Sequence, residues 1–467
     1  MPIATRSLAI LAPTAVLIGF IGLLLHNQSQ TEYLISYDFW RNYNVLAGNG
    51  NFIEYLFHNV HTYAIPSTFW YLDVLLAGGS LKLLHAIVVG TTVAAFGCLI
   101  YLTLRLFETT RVNTAYAVSI ATAAMALWLS PSNSVGLTYP LVDILATCLL
   151  LSVCLSAVIL APLPAVLTIG ATERLRLLGY LGVAVLGFFS LEVFVAVPLF
   201  FALDCALRKR YRETLLHALI VVFLLTLYFV LREGPMPHTS STEINRDYLA
   251  FAHNFLMFLA MHVLMVLRAF KVGTELSANI AVTASALQLL AFALCAVSQY
   301  SGNRPADLSS RFALLFAVMG MISIALATWL RASSYITNEP VFRYTPYSIL
   351  FSMGVLLLSA RALAVSSGRV LRAASWLAVL AISSALTADI FAFWLRHYNP
   401  AGGFALNRLQ MAVYASSPGR EEGIGPNTPD AGHAFRSNLH AFLSSRSLSV
   451  FGSAGYLGLG HSLPPLD

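Results

Sequence analysis

The stretch YDFWRNYNVLAGNGNFIEYLFHNVHTYAIPSTFWYLDVLLAGGS, Tyr37–Ser80, mixes charge and aromatic rings in a way that suits neither a soluble loop nor a spanning helix. It holds an acid (Asp38), a base (Arg41), a second acid (Glu54) and two histidines (His58, His61) among Tyr, Trp and Phe side chains. Such rings settle in the headgroup layer of a bilayer while the polar groups face water. The stretch reads as chain lying along a membrane surface, directly after a first apolar run, Leu8–Leu25. Gly48-Asn49-Gly50 is a turn signal that divides it into two short amphipathic pieces, 37–47 and 52–59. Pro66 then opens a partly inserted apolar helix, Ser67–Ala77, interrupted by Asp73 and closed by Gly78-Gly79.

The rest of the chain reads as the scaffold that holds this stretch. Of 467 residues 58% are hydrophobic and 10% charged, against about 25% charged in an ordinary soluble protein. Long, nearly charge-free runs recur throughout, so the expected fold is all-α, a polytopic transmembrane helical bundle. The runs do not alternate apolar and polar residues, which excludes a transmembrane β-barrel. The net charge of +6 is assigned to arginine-rich cytoplasmic loops and not to a nucleic-acid partner. The five cysteines (Cys98, Cys148, Cys154, Cys205, Cys295) all lie in apolar runs, so free buried thiols are expected. Arg6 ahead of Leu8–Leu25, with no small-residue cleavage site after it, predicts a retained first helix with a cytoplasmic N-terminus.

Basic loops orient the remainder. Arg174 and Arg176, Arg208–Arg212, and Arg361 with Arg369 and Arg372 mark cytoplasmic joints. Both ends of the apolar segment Leu178–Leu207 are then inside, which requires two short helices and a tight bend near Ser190, Leu191 and Glu192. Pro131–Ser134 reads as a short outer turn. The segment Tyr248–Phe270 carries His253, Asn254 and His262, and the loop charges agree only if it does not fully cross. The expected arrangement is about eleven spans plus one re-entrant or interfacial segment; twelve full spans would instead place the tail inside. The transmembrane module covers residues 1–396, with an amphipathic outer loop at 27–66, and a small outer tail covers 397–467.

Asp38, just past the outer end of the first helix, can be ionised yet face a cleft; it suits a general base or, more simply, a helix cap. Arg41 lies one turn on and could pair with it or hold a lipid phosphate. Glu54, His58 and His61 share one helical face and could form a phosphate-binding edge; the spacing is also that of a metal site but is common by chance, so no metal is assigned. Arg343 and Tyr344, before a late helix, make the better anion site, because an arginine fork grips phosphate oxygens in pairs; the simpler reading is a headgroup anchor. Asp73, Asp143 and Glu192 interrupt apolar segments and are functional candidates on that ground. Asp204 and Asp389, near helix ends, read as structural. No Walker-type loop, dinucleotide-binding loop or nucleophile elbow occurs in a usable context, which argues against nucleotide hydrolysis.

An acid after the first helix, an amphipathic outer loop and this helix count resemble the GT-C superfamily of integral membrane glycosyltransferases. The likeness extends to a group of bacterial surface-polysaccharide membrane proteins, through HNVHTYAIPSTFWYLDVLLAGGS (His58–Ser80), FRYTPYSILF (Phe342–Phe351) and Leu448–Phe451. The chain departs from that group at Thr62, where arginine is usual, and at Phe342, where serine is usual. The resemblance implies a polyprenyl-phosphate-linked sugar donor, a glycan or lipid acceptor, and action at the periplasmic face of a bacterial inner membrane, with the C-terminus periplasmic. It implies Asp38 as base in an inverting displacement, with Arg343 and Arg41 on the phosphate. Many members use a divalent cation (Mg or Mn), for which no ligand set stands out here. The alternatives are a transporter or flippase of a lipid-linked saccharide and a non-catalytic scaffold.

Overall fold

The computed structural model describes residues 22, 64–77, 82–108, 110, 112–136, 140–160, 171–231, 248–300, 310–331, 344–366 and 368–395. Among these every regular element is helical. The order is α1 (Ala64–Ala77), α2 (Lys82–Phe107), α3 (Thr114–Trp128), α4 (Pro131–Gly136), α5 (Pro140–Leu160), α6 (Ala171–Phe188), a 3-10 turn (Glu192–Val195) and α7 (Ala196–Leu207). There follow α8 (Tyr211–Leu231), α9 (Tyr248–Leu259), α10 (Met261–Ala269), α11 (Thr274–Tyr300), α12 (Arg311–Arg331), α13 (Thr345–Val365) and α14 (Arg369–Trp394). The bend between α6 and the 3-10 turn falls where it is expected. Pro131–Ser134 is not a bare turn: it starts the short helix α4, whose N-terminus Asp389 caps.

Seven of the described helices are long and apolar enough to cross a membrane, or eight if one bent pair is counted as a span. Their apolar residues circle the axis and do not form a single stripe. On α8, Leu215, Leu219, Val222, Phe223, Phe229 and Val230 are exposed while Ile220 and Leu224 are buried. An apolar outer surface of that extent belongs in lipid, where backbone groups must be satisfied within helices. Lipid tails are as apolar as the core, so helix association depends on close packing. The tightest pair is α12 with α13. A methyl group added at Gly354 would overlap the backbone at Ala313 and Ala317, and one at Gly320 the backbone at Tyr347 and Phe351.

Polar side chains fix which helix ends meet. Asp204, near the C-terminus of α7, has Oδ1 accepting from Arg208 Nε at 2.8 Å and from the Tyr300 hydroxyl at 2.9 Å. Arg311 Nη2 lies 2.5 Å from its Oδ2. The end of α7, the end of α11 and the start of α12 therefore share one level, the Asp204 end. Because α12 and α13 are antiparallel, Arg361 belongs to the same level, where its guanidinium donates to the Leu106 carbonyl at the end of α2. At the other level, Asp389 of α14 accepts from Ser132 Oγ at 2.6 Å and from Ser132 N at 3.1 and 3.2 Å. This is the Ser132 end.

The pair α9–α10 is bent by 72° at Ala260. Phe251, near the start of α9, packs edge-on against Trp329, ring centroids 5.5 Å apart. Trp329 lies eighteen positions beyond Arg311, about 27 Å along α12. Beyond α10 the chain enters α11, whose 27 residues run about 40 Å to Tyr300 at the Asp204 end. Both ends of α9–α10 thus lie on the Ser132 side, and the pair dips into the bundle and returns. The bend at Ala260 divides the segment that the loop charges set apart from the full spans.

Candidate functional site

The dip frees backbone carbonyls at the end of α9, and such groups cannot stay unsatisfied away from water. Two neighbouring helices supply the donors. Ser285 of α11 donates to the Leu256 carbonyl at 2.5 Å, and Ser348 of α13 to the Leu259 carbonyl at 2.8 Å. Ser348 Oγ also lies 3.0 Å from His262 Nδ1. The serine proton is committed to Leu259, so the histidine must be the donor in that contact. A neutral imidazole that donates from Nδ1 carries a lone pair at Nε2. His262 is buried, and Nε2 finds no hydrogen-bond partner among the described residues. The break therefore presents a proton-accepting nitrogen inside the protein.

The N-terminus of α13 closes over this centre. Thr345 Oγ1 donates to Met265 Sδ at 3.1 Å, which ties α13 to α10. Tyr344 is buried at the N-cap position, four residues before Ser348 and so on the same side of the helix. Its ring lies 6.5 Å from that of Tyr347. One turn deeper, Ser352 Oγ donates to Gln288 Oε1 at 2.9 Å, while Gln288 Nε2 is buried without a hydrogen-bond partner among the described residues. The helices α4, α10, α13 and α14 pack together around this region.

Of the residues that the sequence singles out, Asp38, Arg41, Glu54, His58, His61 and Arg343 lie outside the described residues, and so does the side chain of Asp143. Tyr344 is buried at the N-cap of the helix that carries Ser348. Asp73 does not face water. It is fully buried, and Oδ1 accepts from the Leu83 backbone N–H at 2.8 Å in the first turn of α2. It is a helix cap, as is Asp389 at α4, and each offsets orphan N–H groups that a helix start leaves. Glu192 is half-buried at the start of the 3-10 turn. The bend there is enclosed by protein: Ile65 N donates to the Phe189 carbonyl at 2.9 Å, and a methyl group on Gly187 would sit 2.5 Å from the Phe194 ring.

Sequence reasoning notes His262 only as a reason why Tyr248–Phe270 is a poor span. Its place follows from the pairing with Ser348 across 86 residues of sequence, for which no local spacing gives a signal. Among the described residues no group of three or more His, Cys, Asp or Glu side chains is placed to hold a metal ion. Comparison with protein-family models, curated proteins and solved structures finds no match for this chain.

Proposed function

We propose that the chain is a membrane glycosyltransferase that moves a sugar from a polyprenyl-phosphate donor to a glycan or lipid acceptor at the Ser132 end. The observation that carries this reading is the re-entrant pair α9–α10. It gathers buried polar groups beneath Tyr344, on the side where the loop 27–66 is expected. In this reading the bundle has about eleven spans, the Ser132 end is periplasmic in a bacterial inner membrane, and the N-terminus is cytoplasmic. Asp38 takes the proton of an acceptor hydroxyl, whose oxygen then attacks the anomeric carbon. The bond from that carbon to the polyprenyl-phosphate oxygen breaks with inversion, and the phosphate leaves. Arg343 and Arg41, with Tyr344, stabilise the charge that develops on it.

A flippase would need a polar path joining the two ends. Between Ser352 and Arg361, Met353–Leu358 of α13 are apolar and buried all round the helix, with Gly354 closed against α12. Among the described residues, that apolar layer favours chemistry at one face over passage between faces. The test is surface-glycan analysis in cells lacking the chain, complemented with wild type or Asp38→Asn at equal membrane abundance. Restoration by wild type alone is expected. Full restoration by Asp38→Asn removes Asp38 as base and moves transport or scaffolding ahead.

A further inference from the structure

Among the described residues, the cluster around Asp204 holds more positive charge than its own acid balances. Arg208 and Arg311 converge on the single carboxylate of Asp204, with side chains 8%, 5% and 0% exposed respectively. Nearby Arg210 is paired with Glu213 at 2.9 Å and adds no balancing acid. The two guanidiniums are fixed by aromatic faces: Arg208 over Tyr300 at 5.2 Å, and Arg311 over Phe201 at 5.2 Å. Each spends one edge on Asp204 or a ring and leaves another unused. Arg208 Nη1 and Nη2 and Arg311 Nε are buried with no hydrogen-bond partner among the described residues. The same is true of the Tyr180 hydroxyl and His217 Nδ1. Tyr180 lies 5.4 Å from His217, and His217 stacks at 5.5 Å on the ring of Phe201 that carries Arg311. Buried polar groups are almost always satisfied, and an unbalanced buried charge is costly. Orphaned donors on two arginines, beside a net positive charge, are the signature of an anion site.

We infer that this cluster binds the phosphate of an anionic lipid headgroup. One phosphodiester charge brings Asp204, Arg208 and Arg311 to neutrality. Arg208 presents the unpaired edge of its fork, and Tyr180 and Arg311 supply further N–H and O–H groups. Leu203, Leu207 and Tyr211 are exposed on α7 and α8 beside the cluster and offer an apolar track for the acyl chains. The site is at the opposite end from the proposed glycosyl transfer and does not depend on that reading.

The experiment uses the full chain, purified in a neutral detergent without phosphate. Thermal unfolding is followed on adding phosphatidylglycerol, or inorganic phosphate against chloride at equal ionic strength. Phosphatidylglycerol should raise Tm. Arg208→Gln leaves the Asp204–Arg311 pair balanced and should lose most of that shift. Arg212→Gln, which removes an exposed charge from the first turn of α8, should keep it. A shift with phosphatidylglycerol alone assigns the site to lipid, and an equal shift with inorganic phosphate overturns the lipid assignment in favour of a free anion. No shift with either, or a full shift in Arg208→Gln, overturns the site altogether. Native mass spectrometry of the wild-type chain needs no variant: about one tightly retained phospholipid is expected, and none contradicts the proposal.

Discussion

Ser348 sits at the crossing of two demands. It donates to the carbonyl that the break at Ala260 frees, and it accepts a hydrogen bond from His262 Nδ1–H. Ser348→Ala removes both partners at once and leaves a buried carbonyl and a buried N–H unsatisfied. The expected cost is about 1–3 kcal/mol, read as a lower midpoint in detergent-denaturant titration. Thr387→Ala is the control, since its hydroxyl only bonds back to Ser383 on an exposed helix face; it should stay within about 0.5 kcal/mol. An equal midpoint for both variants would mean that the His262–Ser348 pair does not hold the dip in place. The capping carboxylates teach a related lesson. Asp73 is rare in an apolar helix and so reads as functional, yet its oxygen is committed to the start of α2.

At the scale of elements, α12 and α13 carry the centre of the bundle because each gives the other a glycine to close upon. Glycine in an apolar helix costs helix propensity, and the return is backbone approach that a side chain would forbid. Gly354→Val should therefore overpack a backbone–backbone contact and destabilise by about 1–3 kcal/mol or more. The measurement is membrane abundance together with the thermal midpoint of the purified chain. Gly90→Val on α2, where an added carbon meets nothing within 4 Å, should be tolerated. A variant at Gly354 as stable as one at Gly90 would show that the helices do not close on this contact.

For the whole molecule, the order of apolar helices, the bend near Ser190–Glu192 and the misfit of Tyr248–Phe270 were legible in the sequence. Each rests on a local quantity: a run length, a breaker, or a basic loop. The remote partners of Asp204, Asp389 and His262 are not legible. Those contacts span 96 residues from Asp204 to Tyr300, 257 from Asp389 to Ser132 and 86 from His262 to Ser348, so they follow only from the packed fold. For Asp204, the pairing with Arg208 follows from helical spacing four residues apart, whereas nothing local signals that Arg311 would share the same carboxylate. The sites expected at Asp38, Arg41, Glu54, His58, His61 and Arg343 lie outside the described residues and rest on the sequence and its resemblance.

Everything proposed for the Ser132 end rests on α9–α10 dipping and returning. The direct measurement is labelling of single cysteines by a membrane-impermeant maleimide in intact cells, in a background where the five native cysteines are replaced. Leu249→Cys marks the start of α9, where Leu249 is 84% exposed. Gly273→Cys marks the chain after α10, where an added side chain meets nothing. Arg212→Cys marks the Asp204 end. A re-entrant pair labels Leu249→Cys and Gly273→Cys from the same side and Arg212→Cys only after the membrane is opened. Labelling of Leu249→Cys and Gly273→Cys from opposite sides would make α9–α10 a full span and contradict the placement of the site.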